Sequence, residues 1–429
     1  LFGPDYDKDP HAVYDDLRDL WGPVAPVLLE PDVPAWLVLG YNEVLRITRN
    51  PWPFTHDSRH WRDLREGRVP EQSATLAAVA HQPNVLCADG PEHERLRKPI
   101  TDALRQLDQG TTARLVRHQA RQLIAKFAAS GRAEAVEEYA RPLPALVFNR
   151  LFGLPEERGW DLAAALAGGR GGPGAGAGSP ELTRYLADLV ERRRAEPGED
   201  LASWLLAHSS GLTHDELLRT LTLLVTLGAE PTADLLASTI HAMLTDQDSE
   251  PNAATTRLVI DDAIDQVLWT EPPVQNCPGR FPTQNVRVGN VDIKAGDAVV
   301  LGFAAANTNF IRSLDGSDHD HLEMAGKRAH LAWGAGPHRC PASALARVIA
   351  KAGVEALLHR LGDVHLANPE AEPRWRPSPF ARGLAELPIV FDPAAVDRTG
   401  LPVPDQAHAD QAKDRPGRWR LLDRLRRGQ

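Results

Sequence analysis

Trp333-Gly334-Ala335-Gly336-Pro337-His338-Arg339-Cys340, followed by Pro341 and a helical pattern from Ala342 to about Leu361, is the stretch on which the fold turns. A helix N-terminus presents unpaired N–H groups and positive dipole charge, and a cysteine placed there is disposed to be a thiolate. Proline is well suited to a first helical turn, where Pro341 stands. Gly334 and Gly336 let the preceding backbone turn tightly and approach a flat ligand that a side chain would hold off. Taken alone, Cys340 also reads as a small buried hydrophobe, the commonest state of an intracellular cysteine.

The whole run resembles the cysteine-ligand loop of the cytochrome P450 family, Phe-Gly-x-Gly-x-His-x-Cys-x-Gly, with Trp333 in place of the phenylalanine and Ala342 in place of the last glycine. Both changes are mild, since an indole still packs against the loop and alanine is a good helix former. The resemblance implies a mainly α protein with small β-sheets, a triangular-prism helical domain with a β-rich lobe, occupying residues 1–392. It implies haem b (iron protoporphyrin IX), with Cys340 as the iron ligand and Trp333, Gly334 and Gly336 around it. Thiolate donation is what favours O–O cleavage in such proteins.

The chain has 429 residues, 42% of them hydrophobic, enough for a large core. Length alone suggests two or three domains, and the resemblance favours one large one. Three scattered cysteines, Cys87, Cys277 and Cys340, do not make a disulfide framework, so a reducing cytoplasm is expected. No apolar run reaches the roughly 18 residues of a membrane span, and Leu1-Phe2-Gly3-Pro4 lacks a signal-peptide pattern. A net charge of -10 argues against general nucleic-acid binding.

Along the chain, His11 to Leu20 reads as a helix capped at Asp9-Pro10, Trp36 to Gly40 as a strand, and Tyr41 to Arg49 as a short helix. Residues 51–90 read as an irregular polar connection, which the resemblance makes a substrate-contacting loop. From Pro91 a helix carries His93 and Arg97 at i and i+4, on one face. An exposed polar face accounts for that spacing by itself; the resemblance makes His93 and Arg97 donors to a haem propionate, joined by Arg280 and His338. The glycine-rich 168–178 separates helices near Glu156–Ala167 and Pro180–Arg194, as a surface linker or, by the resemblance, a substrate lid. Val286 to Gly302 reads as paired strands with a turn at Ala295-Gly296-Asp297.

Two departures from the family pattern carry information. In Leu227-Gly228-Ala229-Glu230-Pro231-Thr232, within a long helix beginning near His214, Glu230 keeps the acid of Ala-Gly-x-Asp/Glu-Thr-Thr, and Pro231 takes the place of the catalytic threonine. Proline lacks both hydroxyl and N–H, so a kink and a freed Leu227 carbonyl are expected, with Thr232 a displaced hydroxyl. Loss of the alcohol bears on proton delivery; the plainer reading is a bent core helix. In Asp265–Val274, Gln266 and Trp269 stand where the family has Glu-x-x-Arg. Removing both partners of a buried ion pair together is tolerable, and this Gln-x-x-Trp form resembles a rare actinobacterial subgroup. The segment Ser313 to Lys327 lacks the usual aromatic-arginine pattern, consistent with loss of the whole charged network.

The resemblance therefore implies a monooxygenase inserting one atom of O2 into a small or medium organic metabolite, with electrons from a ferredoxin and ferredoxin reductase. Lys327, Arg328 and Arg339 offer a basic docking surface. The alternatives that Pro231 raises are a catalytically atypical haem-binding partner or regulatory protein and a non-oxidative haem enzyme. Residues 393–429 form an extension with a basic amphipathic end, where Arg415, Arg418, Arg420, Arg424, Arg426 and Arg427 surround Trp419, Leu422 and Leu425. A solvated terminus is the expected state, with membrane contact the alternative.

Overall fold

Two long helices set the frame, His214–Asp246 of 33 residues and Ser343–Arg360 of 18. The computed structural model describes residues 1–50, 52–168, 179–246, 260–313 and 328–393. The two helices pack on each other, and Gln109–Phe127 and Pro142–Leu151 pack alongside them. Nine of the ten residues of Pro142–Leu151 are buried, as expected of a helix that is apolar on nearly every side. One extended cluster of buried side chains, from Leu96 through Phe148 and Leu236 to Leu357, joins these elements. The protein is thus mainly helical, with three small sheets among the described residues.

Strands β1 (Val24–Glu30), β2 (Val33–Val38), β3 (Phe54–Thr55), β5 (Asn276–Pro282) and β8 (Val299–Gly302) form a five-stranded sheet in the order β1-β2-β8-β5-β3. β2 and β8 pair in parallel, Leu37 opposite Val300, and the other pairs are antiparallel. β4 (Arg132–Glu134), β9 (Gly362–Leu366) and β10 (Pro388–Asp392) make the second sheet, with β10 central. β6 (Val286–Val288) and β7 (Val291–Ile293) form a separate hairpin.

Most expected elements are present. Asp9 caps the Pro10–Trp21 helix by accepting from the Ala12 N–H at 3.0 Å, and Tyr41–Arg49 is helical. The strand expected at Trp36–Gly40 is β2, which begins earlier and stops at Val38. The region 286–302 differs from its expectation. Its hairpin closes at Gly289-Asn290, whereas Ala295-Gly296-Asp297 leads into β8, which pairs with β2 and β5. Alternation alone did not reveal that the last strand belongs to another sheet. The connection 51–90 holds β3 and three short helical pieces, Ser58–His60, Arg62–Arg65 and Ala74–Val79. The helices flanking the glycine-rich run are Gly159–Ala167 and Pro180–Ala195. Most of that run, the segment 314–327 and the basic tail lie outside the described residues. Among the described residues no helix is long and apolar enough to cross a membrane.

Candidate functional site

Cys340 ends a loop that closes on itself: its N–H donates to the Trp333 carbonyl at 2.8 Å, and Gly334 and Gly336 both have left-handed backbone (φ 66° and 67°). The helix begins at Ser343, with Ala342 as its N-cap, so Cys340 stands three residues ahead of it. Burial is the largest influence on this thiol and pushes its pKa up; the Ala342 N–H and the charges of Arg97 and Arg339 act in the other direction. Desolvation outweighs the dipole here, so an anionic sulfur at this position needs a further positive partner.

Gly336 packs closely against backbone. A Cβ built there would lie 1.9 Å from the Thr48 carbonyl oxygen. The glycine lets the loop rest, backbone against backbone, on the end of the Tyr41–Arg49 helix. At Gly334 a Cβ would make ordinary contacts, 3.7 Å from Phe303 Cζ, 3.9 Å from Arg339 Cα and 4.0 Å from the His338 carbonyl oxygen, so its requirement is conformational. Trp333 is half-buried and packs on the main core.

The helix Gly90–Arg105 brings His93 and Arg97 to this loop. The Arg97 guanidinium donates to the Arg339 carbonyl, and the His93 ring lies 4.0 Å from that of His338, centroid to centroid. His338 also stacks on His56 at 3.7 Å. Arg280, on β5, is buried beside these rings, and its charge acts on both His56 and His338. The five polar residues expected from the sequence, His93, Arg97, Arg280, His338 and Cys340, are therefore gathered around one loop.

Asp89 and His56 belong to the same cluster and were missed. Asp89 occupies the N-cap position of the Gly90–Arg105 helix without capping it. Its carboxylate instead accepts from the Thr55 hydroxyl (2.7 Å), the His56 N–H (3.0 Å) and His56 Nδ1 (2.7 Å), and lies 3.7 Å from His338 Nε2. Burial opposes its charge, but those donors prevail and hold the carboxyl well below the usual carboxylate range. Burial first, then neighbouring positive charge, lowers His56 to about 3 and His93 to about 4, so both rings are neutral near pH 7. The sequence signal for Asp89 was Asp89-Gly90-Pro91, which marks a helix start equally well.

On the long helix His214–Asp246, the helical run passes through Pro231 without a break. Pro231 has no N–H for the Leu227 carbonyl, as expected, while Leu227 itself is 53% exposed in a mostly buried helix. Thr232 is buried, and Glu230 is exposed and ion-paired with Arg376 at 2.7 Å. Arg376 went unnoticed because it lies 146 residues later in a segment without regular pattern.

On the Ile260–Thr270 helix Trp269 is buried and Gln266 half-buried, and Gln266 Oε1 is buried with no hydrogen-bond partner among the described residues. Trp269 stacks on Phe310 at 5.8 Å and meets His330 edge-on at 5.7 Å. Contrary to expectation, an ionic network persists here one residue away. Buried Asp265 pairs with Arg347, and Asp261 pairs with Lys351 at 2.5 Å and lies 3.6 Å from Arg347.

No protein-family model matches the chain. It is 33% identical over 405 residues to the cytochrome P450 monooxygenase PikC of Streptomyces venezuelae, covering 90% of this chain and 92% of that one. It is 30% identical over 402 residues to a vitamin D(3) 25-hydroxylase of Pseudonocardia autotrophica, covering 92% and 96%. Among solved structures, CYP154C4 from Streptomyces sp. ATCC 11861 superposes with a TM-score of 0.78 at 26% identity, covering 90% of this chain and 96% of that one.

Proposed function

The chain belongs to the cytochrome P450 family of haem-iron monooxygenases, and on that premise we propose that Cys340 ligates the iron of haem b while Arg97, His93, Arg280 and His338 hold its propionates. The observation that carries this reading is charge. Arg280 is 7% exposed, donates to the Gly279 carbonyl at 3.2 Å, touches the Cys277 thiol, and has no carboxylate in ion-pair reach among the described residues. A buried guanidinium left uncompensated is costly. Arg97 likewise faces a carbonyl rather than an acid, and the Nε2 atoms of His56 and His93 are buried without hydrogen-bond partners among the described residues. A dianionic ligand would satisfy both guanidiniums and accept from an Nε2–H of His93, and the ferric ion would supply the positive partner that the Cys340 sulfur needs.

Bound there, haem iron supplies the reductive activation of dioxygen that places one oxygen atom on an organic substrate. The protein's share is to hold and orient. Asp89 fixes His56 and His338 through three of its four contacts, and Gly336 seats the ligand loop on the Thr48 carbonyl. Glu230 is the acid positioned to move a proton, since Pro231 has no hydroxyl to offer. Electrons come from a ferredoxin and its reductase. Exposed Arg339 and Arg328 form part of the basic docking surface, Lys327 lying outside the described residues. The substrate is a small or medium organic metabolite, in keeping with relatives named for vitamin D(3) and for mycinamicin IV.

The test is the absorption spectrum of the reduced protein with carbon monoxide. A strongly red-shifted Soret band, lost in Cys340→Ser, is expected; a histidine-type spectrum overturns the assignment. Pro231 supports a second reading, a haem protein acting as a regulatory partner or without oxidation. Substrate conversion that proceeds without dioxygen and electron supply selects that reading.

A further inference from the structure

Arg219, Thr222, Leu223, Thr226, Leu227 and Glu230 recur at i, i+3, i+4, i+7, i+8 and i+11 on the long helix and so share one face. All six are exposed or half-buried, while Leu221, Val225 and Ala229 among them are buried. Other segments reach this face at both ends. Arg219 Nη1 donates to Gln82 Oε1, and about three turns further on Glu230 accepts from Arg376. The Gln82 N–H donates to Cys87 Sγ at 3.5 Å, and Asn84 Oδ1 accepts from the Leu86 N–H at 2.9 Å, so 82–87 is one compact turn. The chain enters that turn from Val79, 3.7 Å from a Cβ built at Gly279 beside Arg280, and leaves it towards Asp89 in the histidine cluster. The loop thus borders the site proposed for haem, and Arg219 meets it midway.

The charges at the two ends differ. Glu230 is matched by Arg376, whereas no carboxylate lies in ion-pair reach of Arg219 among the described residues. Its Nε is buried with no hydrogen-bond partner among them, and Gln82, which engages Nη1, is neutral. The acids spaced to pair with it do not. Asp215, four residues earlier, points its charge elsewhere, and Glu216, three earlier, is drawn to Arg95 and accepts from the Thr213 N–H at 2.8 Å. A guanidinium stays charged at any working pH, and its fork suits a carboxylate, which accepts two of its N–H groups at once. Beside it the side chains turn apolar: Leu227 on the helix and Leu86 on the loop are 53% and 42% exposed.

We propose that Arg219 is a specificity-determining residue and that the substrate is an organic carboxylate, its anionic end held by Arg219 and its apolar body laid along Leu223 and Leu227. The inference rests on the monooxygenase reading for what happens to that body, but the binding of the carboxylate does not depend on turnover. Eight residues separate Arg219 from Leu227, about 12 Å along the helix, which is the span of a medium-chain fatty acid. The unmatched charge also sets direction. A carboxylate entering the other way round meets Glu230, whose guanidinium is already taken, so the anionic end stays at Arg219 and the far end of the chain is presented for oxidation.

The test uses decanoate and decan-1-ol, matched in chain and different in charge, titrated into the haem-loaded full chain and followed by the Soret shift and by isothermal titration calorimetry. The wild type is expected to bind the acid about tenfold or more tightly than the alcohol, an advantage that shrinks as salt is raised. Arg219→Met is expected to bring the two affinities together by weakening decanoate, with Arg219→Lys intermediate. Gln82→Glu sets a carboxylate against the guanidinium from an exposed loop position, leaves the helix untouched, and is expected to cancel the preference as well. A wild type that binds the alcohol as tightly as the acid, or binds neither, overturns the carboxylate site. So does an Arg219→Met protein that keeps the preference. A histidine-type carbon monoxide spectrum instead overturns the monooxygenase reading, and the calorimetric ratio still reports on Arg219.

Discussion

Asp265→Asn separates the two accounts of the helix that carries Gln266 and Trp269. If Asp265 and Arg347 have taken over the work of the missing ion pair, removing one charge strands the other. The Asp265 side chain is 4% exposed and that of Arg347 15%, so solvent screens the pair little. Breaking a buried pair on one side costs about 3–5 kcal/mol. Here Asp261 lies 3.6 Å from the same guanidinium and takes up part of the charge, which places the cost near the lower end, about 3 kcal/mol. With about 2.1 cal/mol/K of unfolding entropy per residue, roughly 0.8 kcal/mol/K for the folded body, that cost lowers Tm by about 4 °C.

The assay is thermal unfolding of the haem-loaded protein followed by far-ultraviolet circular dichroism. Asp265→Asn combined with Arg347→Met removes both charges and is expected to recover most of the loss, since a well-packed apolar pair is nearly neutral in exchange for a buried ion pair. A Tm within about 1 °C of wild type for the single change refutes the reasoning, because the stated entropy leaves no room for a stranded charge. So does a double variant as unstable as the single one.

Gly336→Ala must push the loop off Thr48 and adopt a left-handed conformation that costs about 1–2 kcal/mol before the clash is counted, so haem content and Tm fall; Gly334→Ala, whose methyl group makes only ordinary van der Waals contacts, loses only the conformational part. Arg280→Met speeds haem transfer to apomyoglobin, with Arg280→Lys intermediate, and equal transfer rates for all three proteins refute the propionate role. Burial lowers His330 from 6.5 to about 4, so the unfolded chain binds its proton first; the stabilisation is complete above pH 6.5 and is lost as pH falls from 6.5 towards 4. That window is worth about 3 kcal/mol, and His330→Phe is expected to flatten the acid limb of Tm against pH. Pro231→Thr restores an N–H to the helix and a hydroxyl at its surface, and is expected to raise product per electron pair; a lower value counts against Glu230 lacking a partner hydroxyl.

Much of the site was legible because the chemistry is local. Cys340 with its glycines, and His93 with Arg97 one turn apart, are short motifs that carry the family resemblance, although either spacing alone fits a buried thiol or an exposed helix face. What escaped notice depends on partners far apart in sequence. Asp89 looks like an ordinary helix cap, yet its carboxylate turns away to His56 and Thr55. Arg376 has no local pattern at all. The network at Asp265 was within reach, however. Asp261 and Asp265 are four apart on one helix, Arg347 and Lys351 four apart on another, and matched spacings of opposite charge place two complementary stripes face to face. The departure at Gln266 and Trp269 drew attention to the wrong face of the right helix.

That displacement explains how the ligand loop stays in place without the usual pair beneath it. Residue 265 lies about 100° around the helix from residue 266, so the charges have moved sideways and left an apolar face behind. Trp269 fills that face against Phe310 and His330, whose neighbour Leu331 opens the approach to the loop. Asn307 fixes the same point, donating to the Leu268 carbonyl at 3.0 Å and accepting from the Leu331 N–H at 2.7 Å. At the far end the Arg97 guanidinium holds the Arg339 carbonyl, and midway Gly336 rests on Thr48. The loop is therefore anchored before, within and just ahead of Cys340 by packing and by backbone carbonyl acceptors, Arg97 being the charged donor among these contacts. Apart from Arg97 its geometry needs no charge, which is the physical condition under which both members of an ion pair can be lost together.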